Sequence, residues 1–181
     1  MLVKHIPATD GWDEVNEVFV HTPAVKLVME HSLISLSKWE SKWKKPFLTK
    51  DTKTEEELRD YIRCMVISPT DVDPVTFSVM PANTVNDIFK YVNDSQTATT
   101  VKHRNKGRRS AEIPTSELIY YWMVENGIPF SCEKWHLSRL LTLIDVCNIK
   151  GQKPEKMSKK DIYRQNEAIN AANRARFHTK G

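Results

Sequence analysis

The chain has 181 residues, 27 Lys+Arg against 23 Asp+Glu, a net charge of +4 and 40% hydrophobic residues. That composition is ordinary for a globular protein with one domain, or one core and a tail. Its five glycines stand apart, at Gly11, Gly107, Gly127, Gly151 and Gly181, which excludes a P-loop or Rossmann phosphate cradle, and no cofactor is expected.

The first 30 residues read as β structure. Leu2–Ile6 is short and rich in β-formers, Val18–His21 repeats that character, and Val25, Leu27 and Met29 alternate onto one face. Thr22-Pro23 imposes an extended step or a turn between them. A two- or three-stranded antiparallel element is predicted. From Ser32 the period changes: Leu33, Leu36, Trp39 and Trp43 follow helical spacing up to Lys44, and Pro46 lies just beyond. Thr54 and Glu57 form a capping box for a second helix, which should stop before Ser68-Pro69. Prolines then mark a loop over 69–81, with a short extended piece at Val75–Val79. Thr84–Asp87 reads as another capping box, opening a short helix to about Val92.

Residues 93–111 hold one strong hydrophobe, Val101, and are expected to form a mobile basic loop. Thr115 or Ser116 caps the next helix, which ends at Asn126-Gly127. Ser131 caps another, with Trp135, Leu137, Leu140, Leu141, Ile144 and Cys147 as its apolar stripe. Joined by Ile128-Pro-Phe130 alone, this pair should form a central antiparallel hairpin. Ser158–Asp161 opens a last helix to about Phe177. The fold class predicted is α+β, mainly α-helical: a small N-terminal antiparallel β element followed by five or six helices. Residues 1–149 form the globular domain (β element 1–30, helices 31–92, basic loop 93–111, helical hairpin 112–149), and 150–181 a basic C-terminal helix.

Charge is unevenly placed: residues 1–101 carry −4, 102–149 carry +2 and 150–181 carry +6. Lys102, Arg104, Lys106, Arg108 and Arg109 in the loop, with Arg174 and Arg176 in the last helix, are candidates for an anionic partner. Nucleic acid is one such partner, although the loop lacks the interleaved aromatics that single strands prefer. A solvated face is the ordinary alternative.

Other chemistry is poorly marked. Cys64, Cys132 and Cys147 are an odd number without CxxC spacing, which points to a reducing cytoplasm. Cys132 and His136 lie one helical turn apart. A closed zinc site wants four ligands, however, and no second pair is suitably spaced, so a buried thiol and a bonded histidine are expected, with no metal. Nothing places Ser or Cys beside His31, His136 and Asp145 as a triad would require, and Glu55, Glu56 and Glu57 serve a helix dipole. The chain therefore reads as a non-enzyme. No run approaches the roughly 18 apolar residues of a membrane span, and a signal peptide is not recognisable at the start. Trp39, Trp43 and Phe47 lie among Lys38, Lys42, Lys44 and Lys45. They form either a core face or a protein-recognition patch with a lysine rim.

Several segments are distinctive together: His31–Leu48 with its paired tryptophans, Thr115–Met123, Trp135–Ile144, and the ending Met157–Ile162 with Asn166–Asn173. The set resembles a family of small proteins of tailed bacteriophages from the tail-morphogenesis region, similar to tail assembly chaperones. The resemblance implies a non-enzymatic late protein of the host cytoplasm. It would bind the tape-measure protein or other tail proteins, with a homo-oligomer as one form it can take. A second, frameshifted domain is not recognisable, so the chain would correspond to a short form. The alternatives are a structural virion protein of the tail or head–tail junction, and a nucleic-acid-binding accessory protein.

Overall fold

Proline punctuates the N-terminal β structure. Strands β1 (Leu2–Ile6) and β4 (Val25–Met29) pair antiparallel, Leu2 opposite Met29 and Ile6 opposite Val25. Beyond Pro7-Ala8 and Pro23-Ala24, β2 (Thr9–Asp13) and β3 (Val18–Thr22) resume the pairing in the same register, Thr9 opposite Thr22. The four strands are one ribbon, interrupted where two prolines lack the N–H that a ladder needs. Its buried face changes parity at the break. Ile6, Leu27 and Met29 point inward in the first half, whereas Gly11 and Thr22 do so in the second. On the far side of β4, β5 (Val66–Ser68) completes a sheet of order β1-β4-β5. Both β2 and β5 go beyond the sequence expectation. Asp10, Gly11 and Asp13 hide the first from β-propensity, and the second follows a helix without a break.

The computed structural model describes residues 1–13, 17–100, 113–151 and 159–178. The basic loop expected at 93–111 falls largely outside them. Helix α1 (Leu33–Trp43) is capped by Ser32, and the Ser35 hydroxyl completes the box where Glu or Gln is usual; Lys44 ends it in the left-handed region. The Thr54–Glu57 box opens α2 (Glu55–Met65) as its spacing predicts. Where an extended piece was expected, Val75–Ser78 is the short helix α3, because Asp73 Oδ1 accepts the Val75 N–H at 2.9 Å and Pro74 is already set in a helical conformation. Helix α4 (Ala82–Asn93) starts ahead of the Thr84 box, with the Pro81 carbonyl accepting the first helical N–H groups.

Thr115 caps α5 (Ser116–Glu125). A 3-10 segment, Phe130–Lys134, precedes α6 (Leu137–Gly151). The helix expected from Ser131 therefore begins later. Trp135 is extended, His136 makes a β-bridge with Ser32, and the Leu137 N–H donates to the His31 carbonyl at 2.7 Å. No bare turn joins α5 to α6: α5 packs on α1, the 3-10 segment docks on α1 as well, and Asn126 Nδ2 donates to Asn148 Oδ1 near the end of α6 at 3.1 Å.

Met1–Ile149 form one compact unit and Lys150–Gly181 a second, which contains α7 (Lys159–Phe177). The Ser158 cap expected for α7 lies outside the described residues. With seven α-helices and a small antiparallel sheet among the described residues, the fold is α+β and mainly helical. The core of the first unit gathers Leu27, Leu36, Trp39, Tyr61, Ile88, Ile119 and Leu140 beneath the sheet-forming strands and α1. No described helix is long and apolar enough to cross a membrane.

Candidate functional site

Trp39, Trp43 and Phe47 come together, but mostly inward. Trp39 is 0% exposed and Phe47 7%. The Trp39 indole N–H donates to the Glu57 carbonyl at 2.9 Å, and Phe47 stacks on Tyr61 with ring centroids 3.8 Å apart. Trp43 is half-buried, stacks on Trp39 and donates its indole N–H to Asp60 Oδ2 at 2.8 Å. A recognition face made of all three is therefore corrected to a core wall between α1 and α2, with Trp43 at its margin. The lysines are part of that wall. Lys42 pairs with Asp60 and Lys45 with Glu57, and both lie over the Trp43 ring. Burial alone would raise the Asp60 carboxyl, yet hydrogen bonds from Lys42 and Trp43, with Arg63 close by, hold it below the ordinary carboxylate range. The Lys45 contact does the same for Glu57.

A second cluster, unmarked in the sequence, joins five elements. His31 Nδ1 pairs with the Tyr61 hydroxyl at 2.5 Å, and its ring meets that of His136 edge-on, with centroids 5.0 Å apart. The Ser138 N–H donates to His136 Nδ1, so its Nε2 carries the proton and donates to the Tyr91 carbonyl at 3.3 Å. Glu30 accepts the Tyr91 O–H at 2.6 Å and pairs with the Met1 ammonium at 2.7 Å. Burial, reinforced by His136, pushes His31 down to about 3, and burial lowers His136 and raises Tyr61 and Tyr91. Both histidines are thus held neutral as bonded members of the core. Cys132 is buried, and among the described residues no group of three or more His, Cys, Asp or Glu could hold a metal ion.

The outward-facing candidate is the ribbon's distal half. On its inner face an added Cβ at Gly11 would come within 2.5 Å of Val79 Cγ1. Glycine is what lets β2 lie this close to the residue after α3. On the outer face Trp12 and Phe19 stand directly opposite each other, edge-to-face at 4.9 Å, and are 49% and 82% exposed. The neighbouring cross-strand pair on that face, Asp10 and His21, is joined at 2.7 Å. One face of the arm is thus seated while the other presents a preformed aromatic pair to solvent. The β-formers of Val18–His21 predict the strand that holds Phe19, whereas no strand is predicted for the segment that holds Trp12.

Of the basic candidates, Lys102, Arg104, Lys106, Arg108 and Arg109 lie outside the described residues. Arg174 and Arg176 are exposed on α7, and the Arg176 guanidinium sits 5.5 Å from the Phe177 ring centroid. No protein-family model, curated protein or solved structure matches the chain.

Proposed function

We propose that the protein is a tail assembly chaperone of a tailed bacteriophage. It binds the tape-measure protein, or another tail protein, in the host cytoplasm during tail morphogenesis and does no covalent chemistry. The observation that supports this reading is the exposed Trp12–Phe19 pair on a seated β arm. A long tape-measure helix carries apolar stripes that aggregate unless covered, and large aromatics on a rigid element cover them at small entropic cost. Segments such as His31–Leu48 and Asn166–Asn173 add the family resemblance.

Mass spectrometry of infected-cell lysate and of purified particles tests the reading. A chaperone is present in the lysate and lost from the particles. Stoichiometric recovery in particles would instead make the protein a structural component of the virion.

A further inference from the structure

Helix α7 carries a regular polar stripe that a merely solvated helix does not require. Asn166, Asn170 and Asn173 follow i, i+4, i+7 spacing, with Tyr163 before them and Phe177 after them on the same face. The two aromatics are 72% and 64% exposed, and the helix is exposed along its described length. Asparagine is a poor interior helix residue because its amide competes for the backbone. None of these three amides has a hydrogen-bond partner among the described residues. Three on one face weaken the helix, and no bond among the described residues compensates them. Basic side chains border the stripe on both sides: Arg174 and Lys160 along one edge and Arg176 along the other, while Arg164 lies toward the opposite face of the helix. Glu167 falls between Arg174 and Lys160, and that edge stays net positive.

We propose that α7 is a duplex-DNA-binding helix that lies in the major groove, its asparagines toward base edges and its arginines toward phosphates. A B-form major groove is about 12 Å wide and admits one α-helix. From Asn166 to Asn173 the helix rises about 10 Å, roughly three base-pair steps of 3.4 Å. Asparagine pairs bidentately with adenine N6 and N7, so the stripe favours A·T pairs. Residues 150–181 carry +6, which supplies the sequence-independent attraction. Charge alone would suit an acidic protein equally; a stripe of side-chain amides, each able to donate and accept as base edges do, favours DNA. The inference is independent of the β arm.

Fluorescence anisotropy with the full chain tests it, using labelled 20-base-pair duplexes, one A·T-rich and one all G·C, titrated across 50–250 mM KCl. The wild type should bind both with a linear log–log salt dependence, and the A·T-rich duplex about tenfold more tightly. Asn170→Ala should abolish most of that preference and leave the salt slope unchanged. Alanine favours helix, so the loss cannot come from melting. Arg174→Gln with Arg176→Gln should weaken binding to both duplexes and reduce the slope by about 2. Absence of salt-sensitive binding at 50 mM KCl would overturn the proposal. Wild-type affinity in the arginine variant would assign binding to the 102–109 basic cluster and also overturn it. So would a change in self-association, seen by sedimentation without DNA, that accompanies unaltered DNA binding in both variants.

Discussion

Glu40 in α1 holds the start of α5: its Oε2 accepts the Ser116 N–H at 2.7 Å across 76 positions of sequence. Its Oε1 accepts the Phe47 N–H at 2.9 Å. One buried carboxylate thus satisfies two backbone donors, one of them an orphan N–H at a helix N-terminus, where negative charge is favoured. Hydrogen bonds to a charged group are each worth about 1.5–3 kcal/mol. Glu40→Ala should cost about 3 kcal/mol of unfolding free energy by urea titration, and Glu40→Gln clearly less, because an acceptor remains.

The His31–His136 pair gives stability a pH dependence of known sign. Both folded-state values lie below the ordinary histidine value, so their contribution is complete above about pH 6.5 and lost as pH falls. Each neutral histidine then costs about 1.4 kcal/mol per pH unit, from pH 6.5 down to its own folded value. Facing them are Tyr61 from α2, Tyr91 and Asp94 at the end of α4, Ser138 from α6, Glu30 and the Met1 ammonium. Glu57 and Asp60 add a separate loss below about pH 4, since their carboxyls are lowered. Unfolding at pH 7.5, 6 and 5 should show the histidine slope, and His31→Asn should reduce it to the share that His136 contributes.

Trp39 and Trp43, alike in sequence, should behave differently. Removing the fully buried Trp39 leaves a cavity and orphans its bond to the Glu57 carbonyl, costing about 3–5 kcal/mol as Trp39→Ala. Trp43→Phe keeps the stacking and loses the bond to the Asp60 carboxylate, costing about 1.5–3 kcal/mol. Thermal melts of the two variants would separate them.

Local signals were the legible ones. Thr54 with Glu57, Ser32, Thr115 and the alternation of Val25, Leu27 and Met29 each state a local backbone preference, and the helices and strand follow them. Long-range pairing was not legible. The late start of α6 depends on the Ser32–His136 bridge, which no sequence spacing announces. Strand β2 forms because β3 lies opposite it, against the weak propensity of Asp10, Gly11 and Asp13. The same gap hid the outward-facing site. Phe19 was visible as a strand residue, whereas its pairing with Trp12 exists only in the folded ribbon.

Gly11 should control the seating of that ribbon. Gly11→Ala places a methyl group against Val79 Cγ1 and Cβ, which lie 2.5 and 2.8 Å from its ideal position, so the arm must shift. Hydrogen exchange should rise across β2 and β3 and leave α1 and α2 unchanged. Adding Val79→Ala should restore part of the protection, since one of the two close atoms is removed.

The central claim is that the arm binds a tail protein through Trp12 and Phe19, and co-purification tests it most directly. Tagged protein would be co-expressed with the tape-measure protein of the same phage, as wild type and as Trp12→Ser with Phe19→Ser, the fold being checked by circular dichroism. The account predicts recovery of the tape-measure protein by the wild type and at least a tenfold loss in the variant. Equal recovery by a folded variant, or none by the wild type, would contradict it.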